Sequence, residues 1–136
     1  MTDHIHRNLC QDELKNVSEL ALAHVGDALF ELLVRQTLCC QGSALVKDLH
    51  RATVSRVTAP AQAAFVDVVL PLLTEEELRV YKRGRNTHTH QAPKSATPGQ
   101  YARATGLETL FGWLWLTGQY SRVNELFEAG SAEWRD

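Results

Sequence analysis

Two solitary carboxylates stand in the two most apolar stretches of the chain. Asp27 lies in the run from Leu20 to Phe30, and Glu108 in the run from Gly106 to Leu116. Burying an ionised carboxylate in a helical core is costly unless it is paired or binds a cation. Glycines accompany both acids: Gly26 precedes Asp27, and Gly106 and Gly112 bracket Glu108. Each glycine weakens a helix by roughly 1 kcal/mol relative to alanine, so it is expected only where something is gained. Close packing of two helices, with Asp27 brought opposite Glu108, would be such a gain. Asp and Glu are hard oxygen ligands, and Mg²⁺ is typically held by one or two carboxylates with waters and phosphate oxygens. Either acid alone fits an ion pair, Asp27 with Arg35 or a lysine and Glu108 with a buried cation. Together they point to a metal site. Glu31, one turn after Asp27, either faces the same site or pairs with Arg35 at i+4. His24 is read as a packing residue, and His4 and His6 as incidental residues of a terminus.

A second pattern supplies an anion for that cation to act on. No Asp or Glu occurs between Leu78 and Leu107, whereas Arg79, Lys82, Arg83, Arg85, Lys94 and Arg103 do. These are six of the 14 basic residues, so the eight others stand against 16 acids and the rest of the chain carries a formal charge of −8. Such a segment is a local anion site suited to a phosphate backbone. Lys82, Arg83, Arg85 and Lys94 can reach phosphate oxygens, and Asn86 adds amide donors. His88 and His90 can donate to phosphate or a 2′-hydroxyl. The competing reading is a solvated helix end, since cations near a helix C-terminus meet the macrodipole favourably. It accounts for Lys82 and Arg83 but not for a basic loop free of acids. A carboxylate–Mg²⁺ centre beside a basic groove is the arrangement for phosphodiester hydrolysis.

The elements that must position these residues are helical almost throughout. Ser18 caps a helix running to about Cys40, with Gly42 beyond it. Leu22, Val25, Leu29, Leu33 and Leu38 form its stripe, widened by Ala28 and Leu32. A second helix is expected from Leu45 to about Val57, with Leu45, Leu49, Ala52 and Val57 inward. Thr58 and Pro60 open a third, ending near Leu72. Thr74 and Glu77 make a capping box for a fourth, which Gly84 is expected to end. The segment 86–95 reads as a loop. Thr97 and Pro98 open a fifth helix that extends to Thr117 and is closed by Gly118. Ser121 begins a last one over Val123 to Ala129. Strand alternation is absent, and the expected architecture is a compact all-α, multi-helix domain.

Composition agrees with one domain over residues 1–136, its core at about 18–130. The apolar content is 44% and the charged content 22%, which argues against wholesale disorder. Cys10, Cys39 and Cys40 fit neither a zinc site nor a disulfide framework and read as reduced thiols of a cytosolic protein. No signal peptide is expected, and the longest apolar run is too short to span a bilayer.

These residues carry a family resemblance. Leu22-Ala23-His24-Val25-Gly26-Asp27-Ala28-Leu29 resembles the signature helix of ribonuclease III domains, and the run Thr105 to Leu116 resembles their second acidic motif. Ala59-Pro60-Ala61-Gln62-Ala63, Leu73-Thr74-Glu75-Glu76-Glu77, Lys82-Arg83-Gly84-Arg85-Asn86 and Pro93-Lys94 are similar to Mini-ribonuclease III, the catalytic domain without a double-stranded RNA-binding domain. The resemblance spans about Leu20 to Leu126. It implies a homodimeric, Mg²⁺-dependent endoribonuclease acting on double-stranded RNA, with Mn²⁺ able to substitute. Asp27 is then the main catalytic metal ligand and Glu108 the second, with Lys82, Arg83, Arg85, Asn86 and Lys94 on the RNA. The implied task is trimming the 5′ and 3′ ends of precursor 23S ribosomal RNA, with ribosomal proteins on that precursor as further partners. The implied place is the cytoplasm or a plastid stroma, with no membrane. Leu29, Phe30, Leu33 or the Trp113/Trp115 pair could supply an apolar face for that dimer, and the sequence does not choose between them.

The chain departs from full-length ribonuclease III at two positions. Ala23 stands where that family's signature has a glutamate, and Thr105 where the second motif has an aspartate. His24 replaces a usual aromatic. Two other readings compete: a catalytically silent RNA-binding module of the same fold in ribosome assembly, and an unrelated all-α nucleotide hydrolase. Retention of Asp27 and Glu108 argues against the first, and the scarcity of clustered acids against the second.

Overall fold

The computed structural model describes residues 1–42, 45–87 and 96–134. The described residues form α1 (Gln11–Leu14), α2 (Glu19–Cys40), α3 (Val46–Val57), α4 (Ala59–Val69) with a 3-10 turn at Leu70–Leu72, α5 (Glu75–Arg85), α6 (Pro98–Leu116) and α7 (Tyr120–Gly130). They contain no strand. Local chemistry sets the helix starts. The hydroxyls of Ser18, Thr58, Thr74 and Thr97 accept from the backbone N–H groups of Ala21, Ala61, Glu77 and Gln100. Each removes one orphan donor of a first turn.

The fold is organised around α6, which packs against α2, α4, α5 and α7. Leu107, Leu110, Phe111 and Leu114 of α6 are buried, together with Phe30 of α2, Phe65 of α4 and Leu126 of α7. Phe30 meets the rings of Phe65 and Phe111 edge-on at 5.1 and 5.8 Å. Such pairs add about 0.5–1.5 kcal/mol beyond area burial. Closest of all is the α2–α6 crossing. A Cβ on Gly26 would collide with the Glu108 carbonyl oxygen, and one on Gly112 with that of Leu22. The glycines expected to let two helices approach are therefore at their point of contact.

Several expectations need correction. Ala28 and Leu32 do not widen the buried stripe of α2 but face outward, Leu32 at 51% exposure. Leu45 is exposed at 64%, and α3 instead buries Thr53. Gly84 does not end α5, which continues to Arg85; its missing side chain makes room for Thr109 of α6. Ser121 does not open the last helix. α7 begins at Tyr120 after Gln119, which supplies no side-chain cap. The turn before it relies on Gly118, whose φ of 76° suits glycine. The short α1 was not expected. Near it, Leu9 N–H donates to the Leu116 carbonyl at 2.8 Å, and Tyr120 donates its hydroxyl to Asn8 at 2.7 Å. Cys10, Cys39 and Cys40 are exposed free thiols. Among the described residues, no helix is long and apolar enough to cross a membrane.

Candidate active site

The crossing of α2 and α6 brings Asp27 and Glu108 together from opposite environments. Asp27 is exposed, not buried. α2 turns Leu22, Gly26, Leu29 and Phe30 inward, and residue 27 lies about 100° further round the helix from Gly26. Glu108 is partly buried. Burial, and after it the negative charge of Asp27, push the Glu108 carboxyl up to about 8. The cost of a buried charge therefore falls on Glu108 and not on Asp27.

Gln62 of α4 completes the site. Its side chain is buried, and its Nε2 donates to the Val57 carbonyl at 3.2 Å and to Glu108 Oε2 at 3.4 Å. The second bond favours ionised Glu108 but is outweighed by burial and by Asp27. Gln62 Oε1 is buried without a hydrogen-bond partner. Gln62 falls within the stretch Ala59-Pro60-Ala61-Gln62-Ala63, which by itself gives the amide no role. The available signal was register: a polar side chain one turn before Val66 and two before Val69, both buried.

The other acid nearby is committed elsewhere. Glu31 Oε2 lies 2.8 Å from an Arg35 guanidinium nitrogen, so the i+4 pair forms. His24 is not a packing residue; it is exposed, and with Asp27, Ala28, Glu31, Leu32 and Arg35 it lines an open hollow along α2. Ala23 and Thr105 are both buried, and the Thr105 hydroxyl donates to the Tyr101 carbonyl at 3.1 Å. Among the described residues there is no cluster of three His, Cys, Asp or Glu side chains able to hold a metal. The donor set is two carboxylates and a buried amide. Two carboxylates with waters are a sufficient set for Mg²⁺, and the unpartnered amide oxygen fits a hydrated cation.

The basic segment is divided. Gly84 packs on Thr109, the residue after Glu108, so the basic end of α5 lies beside the α6 backbone at the site. Lys82, Arg83 and Asn86 are exposed there. Arg85 lies over the Tyr81 ring at 5.8 Å and donates to Asn86 Oδ1 at 3.1 Å. Arg83 pairs with Glu19 at 3.3 Å, and Arg103 pairs with Asp67 and donates to the Ala63 carbonyl. Exposed pairs of this kind contribute about 0–1 kcal/mol, so Arg83 can exchange Glu19 for phosphate at little cost. Lys94, His88 and His90 lie outside the described residues. Of the suggested dimer-face residues, Leu29, Phe30 and Trp113 are part of the core.

Comparison with known proteins agrees with the all-α fold. The ribonuclease III domain family matches residues 20–119. A Mini-ribonuclease 3 of Symbiobacterium thermophilum is 48% identical over 82% of this chain and 86% of its own length. One of Enterococcus faecalis is 43% identical over 84% and 88%. A crystal structure of a Fusobacterium nucleatum protein superposes with a TM-score of 0.80 at 27% identity, covering 88% of this chain and 93% of that one. The all-α fold, the motif order and the extent of these matches lead to one assignment: the chain belongs to the ribonuclease III family of endoribonucleases, in its Mini-ribonuclease 3 branch.

Proposed function

We propose that the chain hydrolyses phosphodiester bonds of double-stranded RNA, with Asp27 and Glu108 as the residues that would hold Mg²⁺, or Mn²⁺ in its place. The observation that carries this reading is the pairing at the α2–α6 crossing. Glu108 is partly desolvated next to the negative charge of Asp27, and no described cation partners it. A site so arranged gains from a bound divalent cation what a salt bridge would otherwise supply. When bound, the cation supplies an activated water and stabilises charge building on the phosphate.

The chain's own groups do the rest. Asp27, on the outer face of α2, is accessible to an RNA backbone, while Glu108 is held from within by Gln62. Lys82, Arg83, Arg85 and Asn86, with Lys94, neutralise phosphates and fix the duplex by shape. One site cuts one strand, so cutting a duplex calls for two, and a homodimer provides them. Exposed Ala28 and Leu32 beside Asp27 support a contact between copies along α2. Contacts made chiefly to phosphates make binding salt-sensitive and largely independent of sequence. A structured target is therefore favoured, and we assign precursor 23S ribosomal RNA, trimmed at both ends with its ribosomal proteins in place, in the cytoplasm or a plastid stroma.

The test incubates the protein with a long RNA duplex and Mg²⁺. Clean cleavage is expected, lost in Asp27→Asn and in Glu108→Gln while circular dichroism stays native. Cleavage by both variants at the wild-type rate would overturn the reading.

A further inference from the structure

The pairing of two acids leaves one buried polar group of the site unused. Gln62 is only 2% exposed. Its Nε2 donates to two acceptors, the Val57 carbonyl and Glu108 Oε2. The Val57 carbonyl determines which way the amide faces, because it can only accept and the flipped amide would set oxygen against oxygen there. Oε1 is therefore the atom left over, buried and without a partner. A buried acceptor left unmade is destabilising, whereas an apolar side chain of the same size would carry no such loss. Its natural complement is an O–H donor.

The amide nitrogen and oxygen share one carbon, so the unpartnered oxygen belongs to the group that already touches Glu108. A hydrated divalent cation between Asp27 and Glu108 would present O–H donors there, and donation from a second group is how such ligands are usually oriented. Ala23 and Thr105 supply no carboxylate, and the described residues offer no third acid.

We infer that Gln62 is a positioning residue of the metal site: its amide nitrogen holds the Glu108 carboxylate, and its amide oxygen accepts a hydrogen bond from a water of the bound cation. This rests on the cation reading of Asp27 and Glu108. The role is distinct from packing, since it uses both ends of the amide and methionine could fill the same volume.

The experiment titrates the full chain with Mn²⁺, followed by the electron paramagnetic resonance signal of free Mn²⁺, alongside thermal unfolding in chelator. Gln62→Met is expected to weaken Mn²⁺ binding by about 10- to 100-fold, with a metal-free Tm equal to or above that of the wild type. Gln62→Leu, which like methionine offers neither donor nor acceptor, is expected to weaken Mn²⁺ binding to the same degree; should Gln62→Met fail to fold, this variant decides. Mn²⁺ binding within twofold of wild type by Gln62→Met, or by Gln62→Leu where methionine does not fold, would overturn the inference. Asp27→Asn runs in parallel. Undiminished Mn²⁺ binding there would instead remove the cation site itself, so the two failures are told apart.

Discussion

Glu77 on α5 and Glu108 on α6 are both carboxylates drawn into an apolar interior, and their surroundings differ in every respect that matters to charge. Arg122 donates to the two oxygens of Glu77 at 2.8 and 2.9 Å, and the Thr74 backbone adds a third bond at 2.9 Å. Burial pushes the Glu77 carboxyl up, but the bonds from Arg122 and Thr74 outweigh it and hold the group below the ordinary carboxylate range. Arg122 also donates to the Leu72 carbonyl, so the pair ties α7 to the start of α5. Glu108 has one long bond from a neutral amide and a negative charge beside it. Glu77 is completed by the fold, whereas Glu108 has no cation partner among the described residues. Burial of an acid is therefore a poor guide to function by itself; burial with the wrong neighbours is the informative feature.

The comparison can be broken most severely through activity. Glu108→Gln should lower the cleavage rate of an RNA duplex by on the order of 10³-fold, about 4 kcal/mol of barrier. Glu77→Gln, assayed at a temperature where it stays folded, should lie within a few fold of wild type. A comparable loss in both would mean the two acids are not different in kind. Next in size is stability. Arg122→Ala leaves Glu77 buried and unpaired and should cost about 2–4 kcal/mol in urea unfolding, at the lower end because the arginine side chain keeps 24% of its exposure.

A smaller effect separates the acids by pH. The folded-state value of Glu108 is raised, so its contribution is most favourable below about 4.5 and is lost as pH rises towards about 8. Across that window the folded chain retains a proton that the unfolded chain releases, and stability falls with rising pH. Glu108→Gln should therefore stabilise the metal-free protein by about 1–2 kcal/mol at pH 8.5 and by nothing at pH 4. Glu77 has the opposite sign: its contribution is present above the ordinary value and fades as acid is added. The smallest effect concerns the basic end of α5. Lys82→Ala should weaken RNA binding a few fold for any sequence and reduce the salt slope by about 1, with Tm unchanged.

Much of this arrangement could be read before any coordinates, for local reasons. Ser18, Thr58, Thr74 and Thr97 mark helix starts because a cap needs only its own first turn. Gly26 and Gly112 announced a close crossing because a helix carries such residues at a loss unless a neighbour needs the space. What escaped was tertiary. Asp27 looked buried because Ala28 and Leu32, apolar residues of the outward face, made its surroundings apolar in sequence. Gly84 looked like a terminator because its reason for being there is Thr109, on another helix. Arg83 and Arg103 counted towards a free basic segment, yet their partners Glu19 and Asp67 lie 64 and 36 residues away. The unpartnered oxygen of Gln62 depends on three helices at once.

The central claim is that Asp27 and Glu108 together await a divalent cation. It is tested most directly by the thermal unfolding of wild type, Asp27→Asn and Glu108→Gln, each at pH 8.5 in chelator and in saturating Mn²⁺. A ligand that binds only the folded state at 100 times its Kd stabilises by about 2.7 kcal/mol. The account predicts a Tm rise of several degrees for wild type and none for either variant. An equal rise in all three proteins, or no rise in wild type, would contradict it.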